Sequence, residues 1–278
     1  MFKSRHLLIA TKHKKETVLA PLIEKSLGVQ CFVPENFDTD SFGAFSGEIE
    51  RKEGPVSTVR NKCLEAMRIY GYDLGIASEG SFGSHPSIPF LPANEEIVIF
   101  IDRKNDLEIT ANKVEVETNF STEEIKTWKE LVDFANEAQF PSHALLLRSS
   151  GETGNVLTKG ITDWDHLKAR YQKLQKDSNT VFVETDMRAL YNPTRMKVIE
   201  KAAEVLVEKI KSCCPHCNSP GFGVTAAKTG LPCELCGSPT KSTLSHVYKC
   251  GKCSYTIEKE HPFGIRRENP MYCDICNP

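Results

Sequence analysis

The strongest constraint on the fold of this chain is a run of four Cys-x-x-Cys pairs near its C-terminal end. The pairs are Cys214/Cys217, Cys233/Cys236, Cys250/Cys253 and Cys273/Cys276. Two residues between paired cysteines let a tight turn direct both sulfur atoms at one ion, and Zn²⁺ prefers four such ligands in a tetrahedron. Glycine and proline residues around the pairs suit such turns. The eight cysteines therefore predict two structural zinc sites.

The distribution of the cysteines favours metal binding over disulfide bonds. Only Cys31 and Cys63 precede residue 213 among the 11 cysteines, whereas the bridges of a secreted protein would spread through its fold. The first ten residues lack a signal-peptide core, so we expect a cytoplasmic protein with reduced thiols. The spacing is unlike that of ferredoxins, which disfavours an iron–sulfur cluster.

Two pairings of the knuckles are compatible with this pattern. The gaps from Cys217 to Cys233 and from Cys253 to Cys273 fall in the range of ribbon-type sites, and sequential pairing gives two four-cysteine sites. Interleaved pairing, first with third and second with fourth, also gives two sites and stays open. Cys213 is interpreted as a bystander.

The chain divides into a cysteine-poor part and this cysteine-rich tail. We predict an α/β domain over residues 1–210, with a mixed sheet, and a double zinc-ribbon module over residues 211–278. The charged fraction of 26% is ordinary for a globular protein, and the net charge of −2 demands neither nucleic acid nor membrane as partner. No apolar run is long enough to span a bilayer.

Hydrophobic periodicity gives the elements of the first domain. The N-terminal unit is a strand over 6–10, a helix over 16–27 and a second strand over 29–33. A helix over 57–70 and a strand over 73–78 follow a long polar loop.

Further elements follow along the chain. Strands are predicted over residues 97–102, 107–116, 143–148 and 180–184, and a helix over residues 163–175. Ser121-x-x-Glu124 matches a capping box and predicts a helix start. Asn192 and Pro193 predict the N-cap and first residue of a helix that continues to about Lys211.

Polar residues gather where four of these strands and helices begin or end. The groups are Thr11-Lys12-His13-Lys14-Lys15, Arg60-Asn61-Lys62, Ser78-Glu79-Gly80 and Asp186-Met187-Arg188 with Asn192 to Arg195. Each group alone is most simply a solvated surface turn. Together they predict a cleft with cations for phosphate and a carboxylate for magnesium.

Three of these segments carry a resemblance to a known superfamily. Leu8-Ile9-Ala10-Thr11-x-His13, Val59-Arg60-Asn61-Lys62-x-x-x-Ala66 and the strand end at Glu79-Gly80 resemble the inosine/xanthosine triphosphatase and Maf-type superfamily over residues 6–83. Through the segments Gly75–Gly83, Asp186–Arg195 and Gly230–Gly237, the whole chain is similar to a bacterial family of unknown function. The resemblance implies an inosine triphosphatase-like domain that cleaves nucleoside triphosphates to monophosphates with magnesium. His13 replaces a usual Asn, and Glu16 stands where the phosphate-binding Lys is expected.

Residue roles follow from placement and resemblance together. Glu79 is the candidate catalytic residue and magnesium ligand, helped by Asp186 or Glu48. The candidate phosphate-binding residues are Thr11, His13, Lys14, Lys15, Arg60, Asn61, Arg188 and Arg195.

A non-catalytic alternative also stays open. The chain would then be a nucleotide sensor or a zinc-ribbon adaptor that contacts nucleic acid or protein, with Tyr248, Tyr255 and Phe263 as stacking residues or as a small core. The expected partner is a nucleotide or another phosphate-bearing small molecule. No membrane partner is expected, and a homodimer stays open.

Overall fold

The computed structural model describes residues 1–35, 37, 54–149, 157–177 and 180–278, which form two compact units. The first unit is Met1–Leu206 and the second is Val207–Pro278. No helix among the described residues is long and apolar enough to cross a membrane.

The first unit contains a five-stranded mixed sheet. Its strand order is β2-β1-β3-β4-β5, in which β1 is parallel to β2 and β3 and the remaining pairs are antiparallel. The strands are β1 (His6–Ala10), β2 (Gln30–Phe32), β3 (Leu74–His85), β4 (Ile88–Asp102) and β5 (Leu107–Glu115). The helices α1 (Glu16–Leu27) and α2 (Pro55–Tyr70) connect the parallel strands.

Helix α2 covers one face of this sheet with the apolar stripe that its sequence predicts. Val59, Cys63 and Met67 recur at helical spacing and are buried. They pack against Ala77 of β3 and Ile99 of β4. This contact holds the helix beside the end of β1, where the polar residues gather.

The first unit also contains a four-stranded antiparallel sheet with the order β6-β9-β7-β8. Its strands are β6 (Thr122–Ile125), β7 (Leu145–Ser149), β8 (Thr158–Ile161) and β9 (Val181–Thr185), and its helices are α3 (Trp128–Glu137) and α4 (Trp164–Asp177). Leu131 and Phe134 of α3 and Leu167 and Tyr171 of α4 share a core with this sheet.

The predicted helix start at Ser121 is wrong. Residues 122–125 pair with β9, and the helix begins six residues later at a different capping box. There the Thr127 hydroxyl accepts from the Glu130 N–H at 3.2 Å, and the Glu130 carboxylate accepts from the Thr127 N–H at 3.2 Å. The match of Ser121 to the capping-box motif is therefore coincidental, because residues 122–125 are held in a strand by their pairing with β9.

The predicted start of the last helix is confirmed. Helix α5 spans Pro193–Lys211, and the Asn192 side chain accepts a hydrogen bond from the Arg195 N–H at 2.9 Å. This bond satisfies one of the N–H groups that a first helical turn leaves unpaired.

The second unit is built on a three-stranded antiparallel meander, β10-β11-β12. The strands are β10 (Gly223–Thr229), β11 (Thr243–Lys249) and β12 (Thr256–Glu260). The four Cys-x-x-Cys knuckles precede β10, separate the strands and follow β12.

Candidate functional site

The eight paired cysteines form two clusters, and their pairing is interleaved. The first cluster is Cys214, Cys217, Cys250 and Cys253, and the second is Cys233, Cys236, Cys273 and Cys276. In the first, Sγ–Sγ distances are 3.7 Å between Cys214 and Cys253 and 3.6 Å between Cys217 and Cys250. In the second they are 3.9 and 3.7 Å.

These distances fit a metal ion and exclude disulfide bonds. Four sulfur atoms about 2.3 Å from a central Zn²⁺ lie about 3.8 Å from one another in a tetrahedron, whereas disulfide sulfurs lie about 2.0 Å apart. Each cluster could therefore hold a metal ion, and four cysteine ligands are consistent with zinc.

The strand meander dictates the interleaving. In an antiparallel hairpin the start of one strand lies beside the end of the next, and Gly223 of β10 pairs with Lys249 of β11. The first and third knuckles therefore meet at one end of the sheet. Ser245 of β11 pairs with Glu260 of β12, so the second and fourth knuckles meet at the other end.

All four knuckles share one backbone turn. The N–H of the residue four positions after the first cysteine donates to that cysteine's carbonyl, from Asn218, Gly237, Ser254 and Asn277 at 2.8–3.1 Å. Asn218, Gly237 and Ser254 have positive φ, which glycine and asparagine adopt readily. Hydrogen bonds from the side chain and backbone of Ser238, and a further one from Cys276, lower the pKa of the Cys236 thiol. A thiolate is the form that binds metal.

Aromatic side chains complete the small core at the first cluster. Phe222 is buried with Cys214 and Cys250, and Tyr248 and Tyr255 pack against them. The Tyr255 ring stacks on His216 with a centroid distance of 5.7 Å. Phe263 instead is 67% exposed. Cys213 is exposed and belongs to neither cluster.

The first unit concentrates charge where β1 ends. The last β1–β3 pair is Ala10 with Ala77. Beyond it, β3 continues to His85 without β1 as its neighbour. The Ser78 carbonyl accepts from Lys62 Nζ at 2.6 Å and from Lys15 Nζ at 3.4 Å, and the Ser78 hydroxyl accepts from Lys15 Nζ at 3.1 Å. Strand termination thus supplies acceptors for two buried ammonium groups.

Two buried ion pairs flank these lysines. Lys62 Nζ lies 2.7 Å from Glu79 Oε2, and Arg195 Nε lies 2.6 Å from Glu96 Oε1. Lys15, Lys62, Glu79, Glu96 and Arg195 are all buried, and together they are called the buried charge network. Arg195 also donates to the Met187 carbonyl and lies over the Phe82 ring at 5.1 Å.

The buried charge network contains three cations and two carboxylates. Lys15 has no carboxylate within ion-pair distance among the described residues, whereas Lys62 and Arg195 each have one. Burial, with a further contribution from the charge of Arg195, lowers the pKa of Lys15 to about 7. Burial disfavours the ammonium form because water no longer solvates it.

An open pocket of about 610 Å³ adjoins this part of the chain. It is lined by Thr11, Lys12, His13, Lys14, Glu16, Val33, Pro34, Glu35 and Phe37. Helix α1 begins at its edge, and its N-cap position, Lys15, makes no side-chain capping bond. His13 and Lys14 have positive φ. The pocket therefore combines two lysines, two glutamates, an uncapped helix N-terminus and a few apolar side chains.

The structure brings some of the predicted site residues together and separates others. Thr11, His13 and Lys14 line the pocket, whereas the Lys15 side chain is buried and donates to Ser78 of β3. Glu79 is near in the buried charge network, but it lies within β3 and not at a strand end, because β3 extends to His85. Arg195 is also in the network, where its guanidinium forms an ion pair with Glu96.

Four predicted residues do not join this group. Arg60 is exposed and binds Glu108 of β5 through two hydrogen bonds of 2.7 Å. Asn61, its neighbour on α2, is exposed. Arg188 pairs with Asp186 at 2.6 Å. Among the described residues the cysteine clusters alone bring three or more potential metal ligands together, and Glu48 lies outside those residues.

Sequence reasoning placed Lys62 and Ser78 in the polar groups but assigned them no role, and it missed Glu96 altogether. A signal for Lys62 existed, because it falls between Val59 and Ala66 on the apolar stripe of α2, where a charge must find a buried partner. Glu96 precedes an apolar run on β4 and gives no comparable signal.

The comparisons with known proteins assign the chain to a family. A family model described as a domain of unknown function, DUF6671, matches residues 62–278, which is more than half of the chain. The chain therefore belongs to this family. The match includes both cysteine clusters and begins at Lys62, after the pocket-lining loop. No curated protein matches the chain.

Proposed function

We propose that the first unit binds the phosphate groups of a nucleotide, or of another phosphate-bearing small molecule, and that the cysteine clusters hold two structural zinc ions. The observation that carries the proposal is the pocket itself, whose lining places Thr11, His13 and Lys14 beside the start of α1, where the N-cap residue makes no side-chain capping bond. An anion at that helix end would receive backbone N–H groups and would lie close to the Lys14 charge.

The pocket supports a small-molecule ligand. Its volume of about 610 Å³ lies within the range of about 300–1,000 Å³ that such ligands occupy. The exposed Lys14 side chain and the Thr11 and His13 side chains would contact phosphate oxygens. Val33, Pro34 and Phe37 would contact a base or another apolar group.

A structural role for the metals is supported by the ligand sets. Four cysteines complete a tetrahedral zinc site, whereas catalytic zinc keeps a position open for water. Zinc bound in this way would hold the ends of the β10–β12 meander together.

Hydrolysis of the bound nucleotide is the second candidate. It is supported by the resemblance of residues 6–83 to the inosine/xanthosine triphosphatase and Maf-type superfamily. Glu79 would hold magnesium or orient water, and for that it would have to exchange its Lys62 partner. Asp186 is already paired with Arg188 and would contribute less. Binding therefore ranks before catalysis.

The test uses a panel of nucleoside mono-, di- and triphosphates, with and without magnesium, and the parent nucleosides as unphosphorylated controls. We expect phosphorylated ligands to raise the melting temperature of the first unit, because a ligand that binds only the native state stabilises it. Lys14→Glu should weaken binding at least tenfold, since it reverses the charge at the pocket.

The matched control is Lys25→Glu, which makes the same charge change at the other end of α1. Equal affinity of both variants, or equal binding of the unphosphorylated nucleosides, would contradict the proposal. Release of phosphate or pyrophosphate from a nucleotide that binds would make the protein an enzyme, and stable binding without turnover would make it a sensor.

A further inference from the structure

His143 is a buried histidine that joins the segment before β7 to the start of α5. Its side chain is enclosed, and each of its ring nitrogens has a hydrogen-bond partner. Nδ1 lies 3.0 Å from the Ser142 hydroxyl. Nε2 lies 3.0 Å from the Thr194 hydroxyl and 3.2 Å from the Thr194 backbone nitrogen. Thr194 is the second residue of α5, so the imidazole contacts the first turn of that helix.

The backbone contact determines which ring nitrogen carries the proton. The Thr194 N–H can only donate, so Nε2 is the unprotonated acceptor, and a neutral imidazole then carries its proton on Nδ1. The partner of Nδ1 agrees with this tautomer. The Ser142 hydroxyl donates its one proton to the Gln139 carbonyl at 2.6 Å, so its oxygen accepts from the Nδ1–H. His143 therefore caps α5 as a neutral acceptor.

Protonation of the ring would remove this cap. A proton on Nε2 turns the acceptor into a donor that faces the Thr194 N–H, so that N–H loses its partner. The same proton places a positive charge at the end of α5 where the helix dipole is already positive. Both effects disfavour the charged imidazole in the folded protein.

The charges around His143 act in the same direction. Burial lowers the pKa of His143, the backbone of Gln139 raises it, and the charge of Lys197 on α5 lowers it further. The Gln139 and Ser142 side chains, on the segment before β7, carry no charge. In the described part of the chain no carboxylate forms an ion pair with the ring, so nothing there offsets a proton on it.

We infer that His143 is an acid-sensitive latch, which holds the first turn of α5 while its ring is neutral and releases that turn when the ring takes up a proton. The next residue after Thr194 is Arg195, so the latch holds the helix end that carries the guanidinium of the buried charge network. The unfolded chain protonates this histidine near its ordinary pKa of 6.5, whereas the folded protein resists protonation. The contribution of the latch to stability is therefore complete above about pH 6.5 and is lost as the pH falls below it.

The first experiment is urea unfolding of the zinc-loaded full-length chain between pH 8 and pH 5, followed by tryptophan fluorescence. His143→Gln is the matched variant, because a glutamine amide can accept from the Thr194 N–H and does not titrate. His6→Gln makes the same change at an exposed histidine and is the control. Below about pH 6.5 the unfolding equilibrium constant of the unmodified protein, divided by that of His143→Gln, should rise by up to about tenfold per pH unit, as linkage to one proton requires. Divided by that of His6→Gln, it should stay constant.

Hydrogen exchange measures the release of the helix start itself. Between pH 7 and pH 5 the protection factor of the Thr194 amide should fall more than that of the Ile199 amide in the unmodified protein, and no more than it in His143→Gln. Equal changes of the two amides in the unmodified protein, or a pH-independent ratio of unfolding constants between the unmodified protein and His143→Gln, would overturn the inference.

The unmodified protein alone gives a further test if His143→Gln does not fold. NMR of the chain labelled with ¹⁵N-histidine should show, at pH 7.5, a protonated Nδ1 and an unprotonated Nε2 for His143. Protonation at Nε2 in that spectrum, or titration of the ring at or above the ordinary pKa of 6.5, would also overturn the inference.

Discussion

The two units differ in the residues that fill their interiors. The first unit places the five groups of the buried charge network inside a large apolar core and joins four of them in two ion pairs. The second unit has a small core, in which the buried apolar residues other than cysteine are Val207, Ile210, Phe222 and Leu231. The first cysteine of each knuckle is buried beside them.

This difference separates two sources of stability. Burial of apolar area stabilises the first unit and offsets the cost of its buried charges. The second unit has too little apolar area for that, and ligation of metal would supply folding free energy in its place. Perturbing thiolates should therefore affect only the second unit, and perturbing the charge network only the first.

The largest expected effect is that of cysteine substitution, because a four-cysteine site that lacks one or two of its ligands no longer retains its metal through purification. Cys217→Ser with Cys253→Ser should lower the zinc content by about one ion per chain and leave the second site intact. Cys217→Ser with Cys236→Ser damages both clusters and should lower it by about two. Elemental analysis of purified protein measures the ratio.

If the pairing were sequential, Cys217→Ser with Cys236→Ser would cost about one ion and Cys217→Ser with Cys253→Ser about two. The zinc content of the two variants therefore distinguishes interleaved from sequential pairing. The fluorescence of Trp128 and Trp164 reports only on the first unit, since both tryptophans lie within residues 1–206. Loss of its cooperative unfolding on chelation would refute the separation of the two units.

A smaller effect is expected from a methyl group in the charge network. The Cβ of Gly80→Ala would lie 2.4 Å from Glu96 Oε1 and 2.5 Å from Arg195 Nη2, and both side chains are fully buried. Displacing this ion pair should cost about 2–4 kcal/mol of unfolding free energy. Urea denaturation followed by tryptophan fluorescence measures it.

Gly83→Ala is the control on the same strand. Its Cβ would meet nothing within 4 Å, so the variant should be neutral or slightly stabilising. Equal destabilisation of the two variants would mean that glycine is needed in β3 for backbone reasons and not to admit Glu96 and Arg195.

The smallest expected effect has the opposite sign. Lys15→Met removes a charge whose burial is unfavourable and should raise the unfolding free energy by about 1–3 kcal/mol at pH 6. The pKa of Lys15 is about 7 in the folded protein and near its ordinary 10.5 in the unfolded chain. Between these pH values the unfolded chain binds the extra proton, so the unmodified protein gains stability as the pH rises.

The advantage of Lys15→Met should therefore be constant below about pH 7 and should shrink towards pH 10. Lys25→Met, on the exposed end of the same helix, should show no such trend. A pH-independent difference between Lys15→Met and the unmodified protein would mean that Lys15 is not neutral in the folded protein at alkaline pH.

Local patterns were sufficient for several elements of the fold. The bounds of β1 and α1, the apolar stripe of α2 and the Asn192 cap follow from residues that are neighbours in the sequence. The sequence predicts a domain boundary between residues 210 and 211, and the structure divides into its two compact units between Leu206 and Val207.

Long-range pairing explains what local patterns could not give. The extension of β3 to His85 depends on its pairing with β4, and the strand at 122–125 depends on β9. The interleaved clusters could have been inferred from three strand-like segments between the knuckles. In a three-stranded meander the first and third knuckles lie at one end of the sheet and the second and fourth at the other end. The partner of Arg60 was not inferable, since Glu108 is 48 residues away.

The interleaved pairing also bears on how the chain acquires its metal during synthesis. Translation presents Cys214, Cys217, Cys233 and Cys236 before Cys250 exists, and these four cysteines are themselves a complete set of zinc ligands. The partners found in the folded protein are thus not the first ones available to an ion at the ribosome. A nascent chain that captures zinc early must exchange two thiolates before the meander can close, so the availability of free zinc would influence the yield of native protein.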